Sequence, residues 1–293
     1  MDEVPAGLPG YFLARSLLAD RHSEFTCHPD CSRPGCKSAL MQVPVTLHEI
    51  LAVASANNQP VVDVFQRNYA LGLTPVSSHP SIFRVTLKIQ KPCPWLRNEF
   101  CSIYPIRPLA CILFPESHVL DGTWRLLAQQ WDLSDYACFP SEFAISKERA
   151  GAVKALRGML QKELLVSDSH LFGSSPFLVD LTPLATDLCR PDERAEKPSV
   201  RPVVNGEQLS LADLDTAFRE CFSRCSPFAE LQEKWIELEN LEVREGLFAL
   251  LDGKRALRKL QGRCDGSQYA FRLDGSALKR KRVNLVPPEC SFL

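Results

Sequence analysis

The stretch Phe83-RVTLKIQKPCPWLRNEFCSIYPIRPLACILF-Pro115 runs from a strand-like alternation into a rigid loop carrying three thiols. Phe83, Val85, Leu87 and Ile89 alternate with Arg84, Thr86 and Lys88, the period of a half-buried β-strand. That strand delivers the chain to Cys93, and Cys101 and Cys111 follow after seven and nine intervening residues. Prolines at 92, 94, 105, 108 and 115 restrict the backbone between them, so few conformations are left to set each sulfur's direction.

Upstream, Thr46-Leu-His-Glu49 reads as a capping box, in which the Thr46 hydroxyl accepts from the Glu49 amide and the Glu49 carboxylate reaches back. A helix is expected from residue 46, burying Ile50, Leu51, Val53 and Ala54, and a second from Pro60 to about Tyr69 with proline in its first turn. Ten residues ahead of the capping box ends a second thiol group, Cys27-His-Pro-Asp-Cys31-Ser-Arg-Pro-Gly-Cys36, bent by Pro29, Pro34 and Gly35. A short strand is expected around Trp124 to Trp131, ahead of Cys138.

The rest of the chain reads differently. Residues 149 to 166 place Val153, Leu156, Leu160 and Leu164 on one helical face, and 229 to 251 repeat the pattern with Leu231, Trp235, Leu238, Leu241, Phe248 and Leu251. Residues 191 to 206 are polar and proline-bearing, a surface loop, and Tyr269 to Leu273 alternates into Asp274-Gly275, a hairpin signal. Seven of the twelve cysteines lie before residue 145. The expected architecture is α+β: a small cysteine-rich metal-binding domain over residues 1–145, followed by a mainly helical region over 146–293.

Composition narrows the function. With 34 basic and 35 acidic residues, the chain has no broad attraction for nucleic acid or anionic membrane, and neither is an expected partner. Its first residues are acidic and their apolar run is interrupted by Arg15, unlike a secretory signal, and no later run reaches a membrane span of roughly 18 to 20 apolar residues. A cytoplasmic protein is the expectation. In that reducing compartment twelve cysteines point to metal or redox chemistry rather than to disulfides.

Thiolates bind soft or borderline metals, usually with four ligands converging from two short loops. Cys27, Cys31 and Cys36 supply three; Cys93, Cys101 and Cys111 supply three more, and Cys138 makes seven. Seven is enough for a four-thiol site plus a three-thiol site, and the latter leaves a coordination position open to water or substrate. The competing reading makes some of these cysteines small buried apolar residues. His28 directly follows Cys27, and adjacent residues rarely reach one metal. His48, inside the capping box, is expected to face solvent or stand behind a ligand. Cys221 and Cys225 read as ordinary helix cysteines.

The order Cys93-Pro-Trp-Leu, Cys101-Ser-Ile-Tyr104, Arg107-Pro108, Cys111, Phe114-Pro115 closely resembles the YkgJ-type cysteine-cluster proteins, as does the three-cysteine loop ahead of the Thr46-Leu-His-Glu49-Ile helix. The resemblance covers about residues 20 to 140. It implies zinc or iron chelation, or an iron–sulfur cluster of the 4Fe–4S kind, in a bacterial protein. Flagellin lysine N-methylase has a similar cysteine core. Three functions stay open: a metal-binding protein, an iron–sulfur enzyme of methylase or electron-transfer type, and a zinc-stapled module whose C-terminal helices meet a protein partner. Within the motif Arg107 is expected to offset thiolate charge, or to pair with Glu99 or Glu116, and Tyr104 to be a core residue with a bonded hydroxyl. Both are candidates to stand behind a bound cofactor.

Overall fold

The computed structural model describes residues 8–20, 32–38, 41–76, 79–122, 145–181, 203–204, 207–208, 218, 226–262, 268–274 and 277–283. The expectations for Cys27, His28, Cys31, Cys138, Cys221, Cys225, the strand at 124–131 and most of the 191–206 loop lie outside them.

In chain order the elements are α1 (Leu8–Asp20), α2 (Pro34–Lys37), β1 (Pro44–Val45), α3 (Leu47–Ala56), α4 (Val61–Asn68), β2 (Tyr69–Val76), β3 (His79–Ile89), β4 (Leu96–Arg97), β5 (Phe100–Cys101), a 3₁₀ turn (Tyr104–Ile106), α5 (Leu109–Leu113) and α6 (Glu116–Leu120). They continue with α7 (Lys147–Phe172), β6 (Leu178–Asp180), β7 (Val203–Val204), β8 (Glu207–Gln208), α8 (Ser226–Glu237), α9 (Leu241–Asp252), α10 (Lys254–Gly262), β9 (Gln268–Asp274) and β10 (Ala277–Val283). The α+β class and the helical C-terminal region are as expected.

β3 organises the sheet. β2 runs antiparallel along one of its edges, while β1 pairs with Leu87 and Lys88 and β6 with residues 82 to 84 on the other. β9 joins β6 in parallel, and β10 closes the edge as the expected hairpin partner of β9. Strands from both sides of residue 145 therefore share one sheet.

The alternation in β3 predicted one wet face, and here the structure differs. Arg84, Thr86 and Lys88 are as buried as Val85 and Leu87. Polar partners come from a distant helix and from the neighbouring strand: Arg84 pairs with Asp168 of α7 at 2.6 Å, and Lys88 Nζ donates to the Leu73 carbonyl of β2 at 2.5 Å. A period of two marks two different faces, but it does not say that the polar one meets water.

The capping box is present as read. Thr46 Oγ1 accepts from Glu49 N at 3.3 Å, Glu49 Oε2 accepts from Thr46 N at 2.9 Å, and Ile50, Leu51, Val53 and Ala54 are buried. α4 follows Pro60, which caps it from outside rather than sitting in its first turn. α7 begins on a Ser146 cap, ends on Gly173 at φ 73, and buries Val153, Leu156, Leu160 and Leu164. The single helix expected over 229–251 is two. Asn240 accepts from Glu242 N at 2.8 Å and starts α9 afresh, leaving Leu241 outside the core. The bend lets Leu231 and Trp235 of α8, Leu238 of the turn, and Leu247, Phe248 and Leu251 of α9 join the same core as α3 and α4.

Candidate metal centre

Four cysteines fall among the described residues, Cys36, Cys93, Cys101 and Cys111; all four are partly buried and none is in a disulfide. Each is placed by a separate device. Cys36 sits in α2, and its loop is stitched to the second one: Cys93 N donates to the Cys36 carbonyl at 2.8 Å, and Lys91 Nζ to the Gly35 carbonyl at 2.6 Å. Arg33 Nε adds a bond to the Glu99 carbonyl at 3.0 Å, and Lys37 pairs with the Glu99 carboxylate at 2.9 Å.

Cys101 is delivered by the β4–β5 hairpin, where it pairs with Leu96. The two loop residues, Asn98 and Glu99, have φ of 50° and 63°. A two-residue hairpin loop matched to strand twist needs positive φ at both positions, which Asn tolerates and Glu adopts at some cost. Cys111 rides in α5, whose first amide, Leu109 N, donates to Glu49 Oε1 at 2.5 Å. The carboxylate that closes the capping box of α3 therefore also fixes the helix carrying the third thiol of the motif.

These four thiols line one cavity of about 410 Å³ between α2, the hairpin and α5. Their acidities differ. Cys93 is drawn down to about 6, first by a hydrogen bond from the Cys36 thiol, then by the amides of Trp95 and Leu96 and the Lys91 charge, against the opposing effect of burial. Cys36 is pushed up by giving that hydrogen bond and by burial, and burial pushes Cys111 up to about 12. Among Cys36, Cys93 and Cys111, thiolate is favoured at Cys93, where two backbone N–H groups meet the sulfur.

The donor set suits a soft or borderline cation, which deprotonates thiols on binding and releases their protons. Cys36, Cys93, Cys101 and Cys111 are the described thiols on this cavity that could contribute to holding it. Among the described residues, no three His, Cys, Asp or Glu side chains are already gathered into a metal-holding group. The four thiols share the cavity wall without forming such a group.

Other site expectations need correction. Tyr104 is 39% exposed, at the rim and not in the core. Arg107 stacks on its ring, with Cζ 3.7 Å from the centroid, and pairs with neither expected carboxylate: Glu99 is taken by Lys37 and Glu116 by Arg149. The cation whose charge acts on Cys36, Cys93 and Cys111 is Lys91, which sequence reading passed over although it lies two residues before Cys93. His48 does not face solvent. It is fully buried, edge-on to Phe248, with Nε2 3.3 Å from the Leu247 carbonyl.

Behind the cavity lies a buried ionic cluster that sequence reading also missed. Arg15 of α1 sits 3.1 Å from Glu49 and 3.5 Å from Glu163 of α7. Tyr11 OH donates to Glu163 Oε1 at 2.6 Å, Thr46 Oγ1 donates to Glu163 Oε2 at 2.5 Å, and Arg15 also donates to the Arg107 carbonyl. One guanidinium between two carboxylates leaves a proton to be placed. Burial, helped by Glu163 and opposed by Arg15, lifts Glu49 up to about 7.

Burial also holds His48 down to about 4. As pH falls from 6.5 toward 4, the unfolded histidine takes a proton that the folded one refuses, so stability is lost on acidification. Glu49 works the other way: its folded form keeps a proton that the unfolded chain releases above 4.5, so stability is lost as pH rises toward 7. The two slopes oppose each other in the parent. His48→Gln removes one of them, so relative to the parent it should gain about 1.4 kcal/mol per pH unit on acidification below 6.5, roughly 3 kcal/mol in all. Urea unfolding of both proteins from pH 4 to 7.5 checks this; a difference that stays constant with pH would mean the buried imidazole does not titrate as described.

Residues 26–138 match the family model CxxCxxCC, described as "Putative zinc- or iron-chelating domain". No curated protein and no solved structure matches the chain. None of the described helices is long and apolar enough to cross a membrane.

Proposed function

With residues 26–138 forming a domain of the CxxCxxCC family, we propose that the protein holds zinc or an iron–sulfur cluster through cysteines of its two loops, in a reducing cytoplasmic setting. The observation that carries this reading is the meeting of Cys36, from the first loop, with Cys93, Cys101 and Cys111, from the second, on one cavity wall. Cys27 and Cys31 precede Cys36 in the same loop, and Cys138 ends the family domain; these are the remaining ligand candidates. Once bound, the metal supplies Lewis acidity if it is zinc, or electron transfer if it is an iron–sulfur cluster.

The protein's own residues do the rest. The Trp95 and Leu96 amides and Lys91 stabilise thiolate at Cys93, the Cys93–Cys36 backbone bond holds the two loops together, and Glu49 fixes α5. A catalytic role, as opposed to a purely structural zinc staple, is favoured by the size of the cavity beside the thiols, since structural sites close around their metal.

Metal and acid-labile sulfide analysis of anaerobically purified protein, with its visible spectrum, tests the reading. Iron and sulfide in near-equal amounts assign a cluster, and stoichiometric zinc without sulfide assigns zinc. Protein that binds neither, even after reconstitution with each, overturns the proposal.

A further inference from the structure

Two of the described thiols touch across the loops. The Cys36 thiol donates to the Cys93 sulfur, and beside them Cys93 N donates to the Cys36 carbonyl at 2.8 Å. A main-chain bond of that kind keeps the two Cα atoms about 5–6 Å apart. That lies inside the roughly 4.4–6.8 Å that a disulfide spans. Both side chains are only partly buried and open onto the cavity, so a small oxidant can reach them.

Protein contacts hold this pair together by themselves. Lys91 Nζ donates to the Gly35 carbonyl at 2.6 Å on one flank. On the other, Arg33 Nε donates to the Glu99 carbonyl at 3.0 Å and Lys37 pairs with the Glu99 carboxylate at 2.9 Å. Pro34 in the first turn of α2, with Pro92 and Pro94 on either side of Cys93, restricts both backbones. Once one of two thiols so placed has reacted with a disulfide, the other is positioned to complete the exchange within the molecule.

We propose that Cys36 and Cys93 form a redox modification site: with the centre empty, a small disulfide oxidant such as glutathione disulfide links them, and the linked protein no longer takes up metal. Resting on the metal-centre reading, this gives the same site a regulation. One cysteine, as thiolate, attacks a sulfur of the oxidant and expels the first glutathione. The second cysteine then attacks the protein sulfur of that mixed disulfide and expels the other. Two cysteine thiols and one oxidant disulfide become one protein disulfide and two glutathione thiols, which receive both protons. The new bond removes two of the four described donors on the cavity and leaves Cys101 and Cys111. Bound metal acts in the opposite sense, because it engages the sulfurs that would attack.

The test uses reduced, metal-free protein incubated anaerobically with glutathione disulfide, then alkylated, digested without reductant and mapped by mass spectrometry. Uptake of zinc, and of iron with sulfide, is measured on the same samples. The expected main product joins Cys36 to Cys93, and Cys36→Ser and Cys93→Ser each abolish it while Cys101→Ser does not. Linking should lower metal uptake at least about tenfold, dithiothreitol should restore it, and prior loading with zinc should slow linking by a similar factor. Cys93 joined instead to Cys27, Cys31 or Cys111, glutathione adducts with no link, or linked protein that loads metal like the reduced form would overturn the proposal. Reduced protein that takes up neither zinc nor iron overturns the metal-centre reading and the proposal with it. Reduced protein that loads metal but forms no Cys36–Cys93 link overturns the proposal alone.

Discussion

Replacing Arg15 with methionine lowers the folding stability by about 3–5 kcal/mol, the cost typical of removing one partner from a buried ion pair. The size follows from what is left behind. Arg15 is 1% exposed, and its guanidinium is the only cation that the described contacts place between Glu49 and Glu163, which are equally buried. Without it, two carboxylates face each other in a medium that screens poorly, and one must take up a proton at neutral pH. The Arg107 carbonyl loses a donor as well. Chemical denaturation at pH 7 measures the loss. Adding Glu163→Gln to Arg15→Met should recover part of it, because the amide oxygen still accepts from one of the Tyr11 and Thr46 hydroxyls, its NH2 can donate to the other, and one uncompensated charge is gone. A loss under about 1 kcal/mol, with no recovery in the double variant, would show that the cluster contributes little. The same variant should loosen the metal site, since Glu49 holds the first amide of α5.

Cys93→Ser and Cys111→Ser are expected to reduce metal affinity by more than the 10–100-fold that follows loss of a group hydrogen-bonded behind a ligand. A serine hydroxyl is a harder donor than a thiol and ionises far less readily, so it replaces neither the charge nor the softness. Cys93→Ser should be the more severe, because the Trp95 and Leu96 amides, the Cys36 thiol and Lys91 all act on that one sulfur. Cys101→Ser should follow the same trend, whereas Cys221→Ser, outside the 26–138 domain, should leave metal content as it is. The readout is metal per chain after dialysis against graded chelator. Unchanged retention in all three N-terminal variants would remove these cysteines from the centre.

Much of the local structure was legible in the residues. Thr46 and Glu49 announced α3, the apolar spacing of residues 153 to 164 announced α7, and Tyr269 to Leu273 announced the terminal hairpin. These signals are short-range: a side chain capping its own helix, or a face repeating every three to four residues, needs no knowledge of the rest of the chain. Reading failed where a partner came from far away. The polar residues of β3 looked solvent-facing because Asp168, which buries Arg84, lies 84 positions on. Arg15 looked like an interruption of an apolar run because its carboxylates come from α3 and from α7, 148 residues later. His48 looked accessible because Leu247 and Phe248 are nearly two hundred residues downstream.

Residue types alone set the chemistry available to this protein: which thiols exist, that prolines stiffen the chain between them, and that residues 26–138 match a cysteine-cluster family model. Thiol softness and proline rigidity belong to the residue type, so they survive any arrangement of the chain. It takes the packed chain to bring Cys36 against Cys93, to set the Lys91 charge close to the sulfurs, and to let one buried carboxylate tie the capping box to the helix of Cys111. Acidity and charge pairing depend on distance and on exclusion of water, and both are set by how segments far apart in sequence pack together.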